Sequence, residues 1–282
     1  MMKKTNYVSS LVLILSVFLC NSYAIHATTN KPNIVFMMTD NFGWGELGVY
    51  GGGIIRGAKT PRLDQFAQEG LRLLNFNVEV QCTPTRSALM TGRHPIRSGT
   101  TKVVWGQLYG LVQWEITLAE LLSEAGYATG HFGKWHLGDS LGRYPTDQGF
   151  DEWYGIPNTS LETMFSKQFQ YDPTVGKTDF IMEGRKGETS KKIEPYDLNA
   201  RRKIDALVVD KTIAFMKKKV KEKKPFFAYV PFTQPHVPSL PHPDFDGKTG
   251  NGEFADVLAE IDHRAGQILD SIDDLDIRNN TI

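Results

Sequence analysis

The sequence predicts an α/β chain built on a mainly parallel sheet with helices on both faces. Three observations lead there. Ile34–Met38, Tyr127–Gly133 and Phe226–Val230 are short runs of apolar and small residues, as in strands buried on both faces. Helical apolar spacing recurs between and after them, at Thr117–Gly126, Ile204–Val220 and Phe254–Ile272. Each strand run passes at its carboxyl end into polar side chains, which are Asp40-Asn41, Lys134 with His136, and His236. Open α/β sheets place their ligands at such ends.

The N-terminus reads as a secretory signal over residues 1–27. Lys3 and Lys4 charge its start, Val8 to Leu19 is an apolar core short for a membrane span, and Ser22-Tyr23-Ala24 is a small-x-small cleavage site. Cleavage is expected after Ala24 or Ala27. Phe18 and Leu19 are too bulky for the lipobox that Cys20 would otherwise suggest, so export as a soluble secreted or periplasmic protein is expected. The rest has no second long apolar run, which predicts no membrane association after signal removal. Residues 28–282 suffice for one large domain. Lysine plus arginine equal aspartate plus glutamate at 32 each, so charge gives no reason to expect nucleic acid or an acidic membrane as partner.

After the first strand, Asp40 and Asn41 present hard oxygen atoms suited to calcium or magnesium, and an Asx turn closing the strand would explain the same pair. A glycine-rich stretch follows to Gly53. Thr60-Pro61 opens a short helix closed by Gly70, with Leu63, Phe66 and Ala67 facing inward. Leu71 to Val80 is expected to be extended and to carry Cys82 into the site. With Cys20 removed, Cys82 has no partner for a disulfide. Pro84 suits a helix N-terminus, which puts Cys82 just before a helix start where anions are favoured, and Arg86 adds a cation one turn in. A small buried cysteine and a surface arginine are the plainer alternative.

Cys82-Thr83-Pro84-Thr85-Arg86 with Thr91-Gly92-Arg93 resembles the C-x-P-x-R signature of the formylglycine-dependent sulfatases. The resemblance implies that a formylglycine-generating enzyme converts Cys82 during maturation and that the hydrated aldehyde is the nucleophile. It implies an alkaline-phosphatase-like fold and a calcium ion, in preference to magnesium, held by Asp40, Asn41 and the modified Cys82. Family members carry two acidic ligands at the end of the first strand; Asn41 departs from that and removes one negative charge.

Thr117-Leu118-Ala119-Glu120 is a capping box; Leu118, Leu121, Leu122 and Ala125 form the apolar face, and Gly126 ends the helix. Gly126 to His136 resembles the second sulfatase signature, which implies that Lys134 holds the sulfate and that His136 contacts the formylglycine hydroxyl. His131, inside the strand, is expected to be a satisfied structural histidine, and nothing assigns His94. From Gly142 to Arg202, prolines and glycines such as Pro173 and Gly176 predict long loops and short hairpins that set substrate choice. The helix Ile204–Val220 ends in lysines that complement its dipole. His236, held between Pro235 and Pro238, resembles the P-H-x-P segment in which the histidine meets the sulfate and the departing oxygen; His242 is expected to be structural. Core packing explains the apolar spacing of Phe254–Ile272, and Thr281-Ile282 begins another strand.

The resemblance spans roughly residues 31–282 but only the N-terminal portion of a sulfatase catalytic domain. In the family a later strand completes the calcium site and a further lysine binds sulfate. Calcium wants about six to eight oxygen ligands, more than these strand ends supply, so the chain is expected to be a fragment whose last helix lacks a strand to lie against. The expected activity is hydrolysis of a small-molecule or carbohydrate sulfate ester. Cys82, Arg86, Lys134, His136 and His236 are its catalytic residues: His136 the base, His236 the proton donor to the leaving oxygen. A phosphonate or phosphate ester hydrolase of the same superfamily, and a non-catalytic remnant that binds sulfated glycans, are the alternatives.

Overall fold

The computed structural model describes residues 31–103, 109–167 and 179–282. The expected signal segment with Cys20, and the loop positions Pro173 and Gly176, lie outside them. Among the described residues no helix is long and apolar enough to cross a membrane.

Six strands form one sheet: β1 Ile34–Met38, β2 Ala128–Lys134, β3 Glu152–Ile156, β4 Phe180–Arg185, β5 Lys191–Pro195 and β6 Phe226–Pro231, in the order β1-β6-β2-β3-β4-β5. β1, β6, β2 and β3 run parallel, while β4 and β5 are antiparallel additions. The sheet is therefore mixed and mainly parallel, as expected for a doubly covered α/β fold.

Alternation along β6 shows how both faces are filled. Phe226, Ala228 and Val230 join one core with Phe132, Ile156 and the inner faces of the helices Leu198–Lys221 and Glu253–Asp274. Phe227 and Tyr229 point the other way, into a second core with Met90, Leu111, Ala119, Trp135 and Phe150, under the helices Cys82–Thr91 and Leu118–Glu124. Successive side chains of a strand face opposite sides, so one six-residue run serves two cores.

Several expectations need correction. β1 is half-buried throughout, because β6 covers only one of its edges; on the other, Thr281 and Ile282 make a short parallel bridge with Asn33 and Val35. The helix Pro61–Glu69 begins on proline as expected, yet Phe66 is exposed, and Thr60 accepts from the Gly48 N–H and donates to Asp64, making no helix cap. Residues 71–80 form no strand; the segment is irregular, with Leu71, Leu73, Leu74, Phe76, Val78 and Val80 all exposed. The capping box of Thr117 and Glu120 is present, but Leu121 is exposed and Ala119 is buried in its place. The loops expected from Gly142 onward contain a parallel strand, β3, besides the β4–β5 hairpin. The long helix starts earlier, at Leu198, because Asp197 accepts from the N–H groups of Asn199 and Ala200. The last helix packs against its neighbours Pro61–Glu69 and Leu198–Lys221.

Candidate active site

Four parallel strands end side by side, and each delivers a functional side chain: β1 leads to Asp40, β6 to His236, β2 to Lys134 and β3 to Thr159. Across them lies the helix α2, Cys82–Thr91, which follows α1, Pro61–Glu69, among the described residues. Cys82 is the first residue of α2, two positions earlier than Pro84 alone suggests, and Gln81 turns into it at φ 75°. Thr83 donates to the His136 carbonyl (2.9 Å), which ties the start of α2 to the end of β2.

The centre is a buried ion cluster. Lys134 Nζ lies 2.5 Å from Asp40 Oδ2, 3.4 Å from Cys82 Sγ and 3.3 Å from Thr159 Oγ1. Arg86 Nη2 lies 3.7 Å from Asp40 Oδ1, and Cys82 Sγ stands 3.5 Å from the same oxygen. Arg86 Nη1 donates to the Lys134 carbonyl at 2.5 Å, while the rest of the guanidinium faces Asp40 and the Tyr229 hydroxyl at longer range. Asp40, Arg86 and Lys134 are each at most 3% exposed, so the surface-arginine alternative does not hold.

Burial would raise the Asp40 carboxyl, but Lys134, Arg86 and His236 outweigh it and hold the group well below the usual carboxylate range. Asp40 is therefore ionised. For Cys82, burial pushes the thiol above its ordinary range despite Lys134 and Arg86, so it is no thiolate at neutral pH.

His236 has one ring nitrogen committed. Its Nδ1 lies 2.7 Å from the Val237 carbonyl, which can only accept, so Nδ1 carries the hydrogen. Nε2 faces Thr159 Oγ1 at 3.5 Å, and burial followed by Lys134 lowers the affinity of this imidazole for a proton. A donor path thus runs from Lys134 through the Thr159 hydroxyl to His236. Behind the loop, Arg201 donates to Thr233 Oγ1, Gln234 Oε1 and the His236 carbonyl, and Asp205 accepts from the N–H groups of Thr233 and Gln234.

Of the expected residues, the fold gathers Asp40, Cys82, Arg86, Lys134 and His236. Asn41 is exposed with a left-handed backbone, φ 63°, and lines the same cleft of about 860 Å³ as Asp40 and Cys82. His136 is buried, at φ 56°, and its N–H donates to the Pro157 carbonyl. His94 lies 3.0 Å from Glu79 and is exposed. His131 is wholly buried among Trp135, Phe150, Trp153 and Tyr229, and main-chain groups of its own residue and of Lys134 face the ring outside ordinary hydrogen-bond geometry. Thr159, Arg201 and Asp205 were not expected. Nearby, burial and then Asp179 and Asp139 push the Glu162 carboxyl up to about 8.

One ligand atom each of Asp40, Cys82 and His236 lies within 4.8 Å of the other two. Hard divalent cations prefer oxygen, so Asp40 and the Asn41 amide suit calcium, whereas a sulfur at position 82 does not. The set fits such an ion once position 82 presents oxygen.

A family model described as Sulfatase matches residues 32–282. Human N-acetylgalactosamine-6-sulfatase is 35% identical over 263 residues, covering 89% of this chain and 48% of that protein. Human arylsulfatase A is 33% identical over 271 residues, covering 91% and 51%. The crystal structure of the PsFucS1 sulfatase from Pseudoalteromonas sp. superposes with a TM-score of 0.83 at 29% identity, covering 99% of this chain and 58% of that one. The chain spans about half the length of the curated relatives it matches.

Proposed function

The chain belongs to the sulfatase family, and on that premise we propose that the centre around Cys82 serves the hydrolysis of sulfate esters, carbohydrate esters first. The observation that carries this reading is one buried cluster in which Cys82 touches Asp40 and Lys134 with Arg86 beside them. The relatives' names support a sulfated sugar as substrate, with aryl sulfates as convenient analogues. A protonated thiol is a poor nucleophile, so we propose that a formylglycine-generating enzyme converts Cys82. Formylglycine hydrate would supply the attacking hydroxyl, and a calcium ion held by Asp40, Asn41 and the oxygen at position 82 would supply positive charge. Lys3 and Lys4 ahead of the apolar run Val8 to Leu19 support a secreted or periplasmic protein.

The chain's own residues have separable roles. Lys134 and Arg86 bind the sulfate oxygens, where a dry, preset charge is worth more than in water. His236 offers Nε2 to the ester oxygen that departs; arrival of an anion restores its affinity for a proton, which the Lys134–Thr159 hydroxyl path orients. His136 holds a proton from the residue-82 hydroxyl in the second half of the cycle. Thr159 sets the spacing between Lys134 and His236.

Mass spectrometry of the peptide containing residue 82, from cells with and without a formylglycine-generating enzyme, tests the maturation. An enzyme-dependent aldehyde, with 4-nitrophenyl sulfate cleaved faster than 4-nitrophenyl phosphate, is expected. An unmodified thiol in both preparations, or preference for the phosphate, overturns the reading.

A further inference from the structure

On the far side of Thr159 lies a group of oxygens that the sulfate chemistry does not use. Asp139 Oδ1, Asn158 Oδ1 and Asp179 Oδ2 are all buried and have no hydrogen-bond partner among the described residues. Asn158 joins them. Its Nδ2 donates to Asp139 Oδ2 at 3.0 Å, its main-chain N–H helps to lower the Asp179 carboxyl, and the residue is only 4% exposed. Asp179 Oδ1 already accepts from the Phe180 N–H at 2.8 Å, so its other oxygen is the one left over. Burial, and with it Asp139, push the Asp179 carboxyl up to about 7 against the pull of the Phe180 N–H, and Lys192 acts on it only as a counter-charge.

Buried carboxylates are stable when paired or when they coordinate a metal. An amide oxygen that is buried and unpaired beside two carboxylates is the donor type that hard cations select over amines or soft metals. We propose that Asp139, Asn158 and Asp179 bind a second hard divalent cation, of the calcium class, separate from the one that Asp40 would hold. The remaining positions would be filled by water. Asn158 precedes Thr159, so this ion would lock the end of β3 and with it the hydroxyl that faces Lys134 and His236.

Calcium titration of the EDTA-treated 282-residue chain by isothermal titration calorimetry, with a parallel thermal melt, tests this. The titrant is calcium chloride alone. Asp139→Asn and Asp179→Asn should each weaken one saturable site by more than the roughly 10–100-fold that losing an outer-shell partner costs. The same variants should lose the calcium-dependent rise in Tm while their metal-free Tm stays level or increases, since a buried charge has been removed. Asp40→Asn should leave this site intact, which separates it from the proposed sulfatase ion. Wild-type calcium binding in both Asp139→Asn and Asp179→Asn, or binding abolished only by Asp40→Asn, overturns the proposal. So does a wild-type chain with no calcium uptake and no shift in Tm.

Discussion

At the scale of single residues, the chemistry depends on groups whose charge is fixed by what buries them. His131 is the clearest test. Burial, and then Arg86, lower its pKa from 6.5 to about 3, so the native state holds it neutral. A base with a depressed folded pKa contributes stability that is present above pH 6.5 and is lost as pH falls toward 3. His131→Phe should suit the surrounding rings and remove that loss. Between pH 6 and 4 the wild type should lose stability faster than the variant by about 1 kcal/mol per pH unit, as read from urea unfolding at each pH. Parallel curves would show that His131 does not titrate between the two states. Residue chemistry was only partly legible in the sequence. The cysteine-proline-arginine string and Lys134 announce themselves through motif, whereas the depth of Arg86 and the burial of His131 against Tyr229 depend on neighbours far along the chain.

At the scale of elements, the site is a row of parallel strand ends closed by one helix start, and an unseen strand conceals its side chain. In the sequence β3 reads as loop because Pro145, Gly149 and Pro157 punctuate the stretch around a run of only five strand residues. Once β3 is in place beside β2, the rule that strand ends carry chemistry points to Asn158 and Thr159. The same holds for the helix Leu198–Lys221. Its first turns carry Arg201 and Asp205, charges that are buried to hold the His236 loop. Asp197 starts that helix, so Asp197→Ala should cost about 1 kcal/mol, within the roughly 0.5–2 kcal/mol range of lost caps. Urea unfolding with an unchanged m-value is the measurement; a cost near zero would mean that tertiary packing alone sets the helix start.

At the scale of the whole molecule, the two cores were legible from apolar periodicity, but the edges were not. β1 has the composition of a central strand and the burial of an edge. Segment 71–80 borders the cleft with Leu71 89% and Val80 80% exposed. Such a strip exceeds the scattered apolar residues normal on a surface. Leu74→Ser with Val80→Ser should lower the fluorescence of a bound hydrophobic dye such as ANS and leave stability within about 0.5 kcal/mol. Unchanged dye binding would place the exposed apolar surface elsewhere.

The alternating sides of β6 also bear on how this chain can change over generations. Because Phe226, Ala228 and Val230 fill one core and Phe227 and Tyr229 the other, gaining or losing a single codon there would exchange the two sets and shift His236 along the row. Substitutions of similar size are open to lineages carrying this strand; changes in its length are not, and variation in length should collect instead in the surface loops, where no such parity is counted.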